Sequence, residues 1–171
     1  GTQKTINVNS DFRLVAGTLN DNGNTINIAG NVYNSGIHSG TGKLVLNGTA
    51  IQTIDGNGTY ENIDLFNTSA DPAPVSLLAA MTINGSLNFA KDKLFNIVTF
   101  NLKLNESASI QSAGSARYFK SAGNSGDGGL TKVYSSSSSS FNFPLGVAYY
   151  TPASVAINGT PAGYGSITIT P

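Results

Sequence analysis

One short phrase recurs along this chain at nearly constant intervals, and few folds tolerate such a recurrence. Residues 44–49 read "LVLNGT" and residues 81–86 read "MTINGS": apolar, any residue, apolar, then Asn-Gly and a small hydroxyl residue. The same apolar-x-apolar opening occurs in "INVNSD" from Ile6, "INIAGN" from Ile26, "IDLFNT" from Ile63 and "LKLNES" from Leu102. Successive copies start 20, 18, 19, 18 and 21 residues apart. A fixed period of this size is the signature of a stacked repeat architecture.

Within each copy the pattern has period two, which describes a strand with one buried face. Ile6/Val8, Ile26/Ile28, Leu44/Leu46, Ile63/Leu65, Met81/Ile83 and Leu102/Leu104 are expected to point inward. Of the residues between them, Asn7, Asn27, Asp64, Thr82 and Lys103 are polar and only Val45 is not. Corner asparagines follow at Asn9, Asn47, Asn84 and Asn105, and Asn and Gly accept the positive φ that a sharp corner needs. Further apolar positions are expected on a second side at Phe12, Val32, Ile51, Leu87 and Ile110. A third side draws on Leu19, Ile37, Ile54, Leu78 and Phe95.

Three short strands in about nineteen residues make one turn of a three-sided β-solenoid. The predicted fold is all-β: a right-handed parallel β-helix of about six turns, its hand set by the general preference of parallel crossovers. At a spacing of about 4.8 Å per turn the core would be roughly 30 Å long, with corner amides stacked as a ladder. An antiparallel sandwich also shows short strands and frequent turns, but does not repeat one phrase six times in near-constant register.

Composition agrees. Asn, Ser, Thr and Gly contribute 76 of the 171 residues, and charged residues only 11%, against roughly 25% in ordinary domains. Such residues favour turns and extended chain over helix. The net charge is zero and no Lys/Arg cluster exists, so a phosphate backbone would find no basic stripe, and nucleic acid is excluded as a partner. No apolar run reaches the length of a membrane span, and no membrane insertion is expected. The absence of cysteine rules out disulfides and thiol chemistry.

Beyond residue 112 the pattern lapses. Residues 1–112 read as solenoid repeats, and 113–171 as irregular terminal turns and capping strands of the same domain. This tail holds a strand-like "LTKVY" (130–134), the serine run Ser135–Ser140 and an alternating segment from Ser166 to Thr170. Pro72 and Pro74 mark a loop between turns.

Residues 40–69, "GTGKLVLNGTAIQTIDGNGTYENIDLFNTS", together with 81–89 and 102–110, resemble the repeat region of large secreted, adhesin-like bacterial cell-surface proteins. Gln52, Ile54, Gly56, Tyr60, Asn62 and Asn67 fall on that group's phrase, and "FPLG" (143–146) and "YTP" (150–152) resemble the segment that closes such a region. The likeness covers roughly residues 14–157, departing at the serine run and the proline loop. It implies a secreted or cell-surface location, neighbouring domains in a longer exported chain, and a structural or adhesive role without catalytic residues. A glycan or a surface protein is the implied contact.

Candidate chemistry is sparse, and no cofactor is expected. His38, the single histidine, lies between glycines and reads as an exposed loop residue. Asp55, Glu61 and Asp64 are close in sequence, but glycoside hydrolysis needs a carboxylate pair at a set separation, and these read as solvated turn and face residues. A polysaccharide lyase or hydrolase on a solenoid face is the enzymatic alternative. A carbohydrate-binding module is the other, with Tyr149 and Tyr150 as a conceivable stacking platform. "GTGK" (40–43) lacks the earlier glycine and following Ser/Thr of a phosphate loop. "GNSGDGG" (123–129) has the glycine content of calcium-binding repeats in a single copy without alternating aspartates. It reads as a turn, with calcium the one ion considered.

Overall fold

A computed structural model describes residues 2–134, 140–158 and 165–171. Among them there is no helix; the strands build a right-handed parallel β-helix. Its first layer holds β1 (Thr5–Val8), β2 (Phe12–Leu14) and β3 (Thr18–Asn20). The second holds β4 (Thr25–Ile28), β5 (Val32–Asn34) and β6 (Ile37–Ser39), and the third β7 (Lys43–Leu46), β8 (Gln52–Asp55) and β9 (Thr59–Tyr60). β10 (Ile63–Leu65), β11 (Val75–Leu77) and β12 (Met81–Ile83) follow, then β13 (Ser86–Phe89), β14 (Phe95–Val98) and β15 (Leu102–Leu104). The last full layer is β16 (Ser109–Gln111), β17 (Phe119–Ser121) and β18 (Leu130–Val133). β19 (Ser140–Phe143), β20 (Leu145–Gly146), β21 (Ala153–Ala156) and β22 (Ser166–Ile169) complete the described strands.

Every third strand shares a sheet. The first side runs β1-β4-β7-β10-β13-β16, the second β2-β5-β8-β11-β14-β17-β20, and the third β3-β6-β9-β12-β15-β18 with β22 added antiparallel. Between β1 and β16 the chain completes about five turns, slightly fewer than the six that the phrase count suggests. The parallel ladder does not stop at residue 112: β17, β18 and β20 pair in parallel with β14, β15 and β17.

The register corrects one expectation. Ile6, Ile26, Leu44 and Ile63 do stack on the first side, but the next residue in that row is Leu87, followed by Ile110. Met81 and Leu102 belong to the third side, where Met81 lies over Leu102 and Ile83 over Leu104. The cause is the segment between β10 and β11, which contains Pro72 and Pro74 and lengthens that turn. After it, the same apolar-x-apolar phrase marks a different side. Leu87 and Ile110 are accordingly first-side core residues, not second-side ones.

The axis is filled by side chains stacked like on like. Ile28, Leu44, Leu77, Ile83, Leu87, Leu102 and Leu104 are wholly buried, each contributing on the order of 2 kcal/mol. Towards the C-terminal end the filling becomes aromatic: Phe119 packs on Phe89 and Phe95 with ring centroids 5.1 and 5.7 Å apart. The hairpin of β19 and β21 then lays Phe141 and Phe143 edge-to-face beside this end. At the opposite end Ile6 is 48% exposed, because no strand flanks β1 on its outer edge. Three expected core positions lie outside. Ile51, Ile37 and Leu78 are exposed, and the inward places beside them are taken by Gln52, His38 and Leu77. Val45 faces outward as expected yet is buried. The serine run from 135 to 139 lies outside the described residues.

Candidate functional site: polar flanks over a latched interior

The outward residues of each sheet form rows along the axis, one member per layer. On the first side Asn27 donates through Nδ2 to Asn7 Oδ1 at 2.9 Å, an amide ladder step on the strand face. Lys43 Nζ is paired with Asp64 Oδ2, and Asn88 Nδ2 reaches the other oxygen of Asp64 at 3.3 Å. Asn62 Oδ1 accepts from both the backbone N–H and the hydroxyl of Ser86. Thr25, Lys43, Asn62, Asp64, Ser86 and Asn88 line one open, polar depression. On the second side Asn31 Oδ1 accepts from the backbone N–H and hydroxyl of Thr53, and the Arg13 guanidinium sits 4.5 Å from the centroid of Tyr33.

The corner asparagines divide between two corners. Asn9 and Asn47 follow first-side strands; Asn84 and Asn105 follow third-side strands, where Asn105 Nδ2 donates to Asn84 Oδ1. Thus the expected corner ladder has one step, between Asn84 and Asn105. Asn47 Oδ1 is buried without a hydrogen-bond partner. The carboxylates considered for catalysis do not converge: Asp64 stands on the first side, Asp55 on the second, and Glu61 follows β9 on the third. Asp55 Oδ1 accepts from the N–H of Gly56, an ordinary turn contact. Tyr150 packs against Tyr118 at 5.6 Å while Tyr149 is left exposed, so the pair makes no common platform. In the glycine-rich turn, Asp127 Oδ2 accepts from the N–H groups of Gly123 and Asn124. Among the described residues, no group of three or more His, Asp or Glu could hold a metal ion.

A second set of polar residues lies inside, at places where the period-two pattern expects hydrocarbon. His38 is not a loop residue. It occupies the inward position of β6, above Leu19, and both it and Asp21 are fully buried in their side chains. Glu61 N–H points at His38 Nδ1 at 3.3 Å, so the ring carries its proton on Nε2 and donates it to Asp21 Oδ2 at 2.9 Å. Asp21 Oδ1 accepts from the N–H groups of Gly23 and Gly42, each at 2.8 Å. A buried carboxylate is tolerable only with this many donors. Burial holds His38 below its ordinary pKa, against the opposing pull of Asp21 and Glu61. The cluster joins the first three layers. Gly40 completes it: with φ at 115° and an added Cβ only 2.2 Å from Asp21 Oδ1, no other residue fits.

Gln52 makes a similar latch at the corner between the first and second sides. Its Nε2 donates to Ile28 O and Gly30 O, and its Oε1 accepts from Gly48 N–H and Asn67 Nδ2. At the far end Lys132 sits in the inward row below Leu104. Its Nζ donates to the carbonyls of Asn105, Glu106 and Ala108 at 2.8, 2.7 and 2.8 Å. Burial lowers its pKa, with Glu106 opposing.

Compared with family models, curated proteins and solved structures, the chain shows no match.

Proposed function

We propose that this chain is a non-enzymatic, stiff spacer segment of an exported bacterial surface protein, and that its polar flanks are a contact surface for neutral glycans or a surface protein. The observation that carries this reading is the parallel register on three sides around one shared core, with a single-step shift at Asn96/Val98 on the second side. Each layer is tied to the next by backbone hydrogen bonds, and the layers at the N-terminal end also by the internal latches at Asp21–His38 and Gln52. Such a stack is a rod whose length is set by the number of layers. The resemblance of residues 14–157 to adhesin-like repeats supports the exported setting. The flanks, rich in amides and hydroxyls, match the hydrogen-bonding character of sugar hydroxyls rather than that of a polyanion.

The test is mechanical and then chemical. Stretching the domain end to end between two handles should release length in steps of about one layer as coils peel off. A single all-or-none extension at low force would defeat the spacer reading. On a glycan array, retention of neutral oligosaccharides that is lost on replacing Asn27 and Asn88 by Asp would support the contact surface. Turnover of any of those glycans would replace the reading with an enzymatic one.

A further inference from the structure

Five Asn-Gly pairs occur in the chain, at 22–23, 47–48, 57–58, 84–85 and 158–159. The pair Asn-Gly is the most prone to spontaneous deamidation, because glycine has no Cβ to shield its backbone nitrogen. That nitrogen attacks the Asn side-chain carbon Cγ. A Cγ–N bond forms, the Cγ–Nδ2 bond breaks, and ammonia leaves with the amide proton. Water then opens the resulting succinimide at one of its two carbonyls, giving aspartate or isoaspartate. No oxidant or reductant takes part.

The fold treats the pairs unequally. Gly23 N–H is held by Asp21 Oδ1 at 2.8 Å, Gly48 N–H by Gln52 Oε1 at 2.9 Å, and Gly85 N–H by Glu61 O at 3.0 Å. Asn84 is further restrained through its side-chain oxygen by Asn105. In each, the attacking nitrogen is engaged in a contact that also holds two layers together or closes a turn. Asn57–Gly58 differs. Asn57 is exposed, has a φ of 55°, and stands at the corner between β8 and β9. Among the described residues, neither its side chain nor the N–H of Gly58 has a hydrogen-bond partner. Asn158–Gly159 reaches outside the described residues.

We infer that Asn57 is a modification site of this protein, at which the folded chain deamidates ahead of the pairs at 22, 47 and 84. The reaction places a new carboxylate next but one to Asp55. When isoaspartate forms, one extra backbone atom enters a corner where Gly58 packs against Asn34 too closely for even a Cβ, at 2.4 Å. Ageing of the rod would therefore begin at this corner of its third layer.

The experiment is peptide mapping by mass spectrometry of the intact chain, held folded in mildly alkaline buffer and, in parallel, unfolded in denaturant. The expected result is conversion at Asn57 several-fold ahead of Asn22, Asn47 and Asn84 in the folded sample, with comparable rates for all four in the unfolded one. Equal or faster conversion at any of those three in the folded chain overturns the inference. So does a lead for Asn57 that persists in denaturant, since the fold would then not be its cause.

Discussion

His38 Nε2 lies 2.9 Å from Asp21 Oδ2 with both side chains fully buried, so the interior of this β-helix contains a carboxyl group and an imidazole where hydrocarbon is the rule. The pair predicts how stability depends on pH. Above about pH 6.5 the ring is neutral in folded and unfolded chains alike. As the pH falls below that value the unfolded chain takes up a proton first, because burial has lowered the folded pKa. The unfolded state then binds more protons and stability declines, until the folded ring protonates as well. Denaturant melts between about pH 8 and pH 5 should show this decline. The variant His38→Gln should flatten it. Separately, Asp21→Ala strips Gly23, Gly42 and His38 of their acceptor, and should cost about 3 kcal/mol near neutral pH.

Depth along the axis should decide the cost of an identical truncation. Leu104 is wholly buried between Ile83 and Lys132, so Leu104→Ala should lose about 2–5 kcal/mol to the cavity it leaves. Ile6 occupies the equivalent kind of inward position but stands in the first layer and is half exposed. Ile6→Ala should cost less than about 1 kcal/mol. Comparable losses at both sites in thermal melts would contradict the layered register.

Much of this register is legible in the spacing of Ile6, Ile26, Leu44 and Ile63. It fails at Met81 because an apolar-x-apolar phrase looks the same on any of the three sides. The extra residues around Pro72 and Pro74 move the phase without changing the phrase. The latches are illegible for another reason. Pattern reading assigns polar residues outward, so Gln52 loses the inward place to its apolar neighbour Ile51, and His38 loses it to Ile37. A signal did exist. Counting one period on from Leu19 arrives at His38, and that row continues through Tyr60 and Ile83 to Leu104. Exposed Asn and Thr rows give no comparable signal, since nothing but register orders them.

Gln52 offers a test in which charge and shape are separated. Gln52→Leu keeps the volume but leaves Gly48 N–H and Gly30 O without partners and Ile28 O with only the Asn47 N–H, for an expected loss of about 2–4 kcal/mol. Gln52→Glu turns the donating end into an acceptor facing those two carbonyls. Its carboxyl should be driven to bind a proton in the folded chain more readily than in the unfolded one. Stability of this variant should therefore improve as the pH is lowered towards about 4, the reverse of the parent's trend. Melts of both variants over that range measure the difference.

Lys132 tests whether the terminal cap depends on a buried charge. Three carbonyls of the corner after β15 converge on its ammonium, and the Phe141 ring stands 5.5 Å from it. Lys132→Met retains most of the stem and removes the donor. The carbonyls of Glu106 and Ala108 then lose their donor, Asn105 O keeps only the Ala108 N–H, and the expected cost is about 2–4 kcal/mol. Lys132→Arg keeps the charge, but a planar fork cannot serve three acceptors that meet at one point, so it should recover only part of the loss. Amide hydrogen exchange should localise the damage: faster exchange in Ser140–Phe143 and Ala153–Ala156, with the layers around Leu44 unchanged. If Lys132→Met melts with the parent, packing alone holds the cap, and the carbonyl cage contributes nothing to its stability.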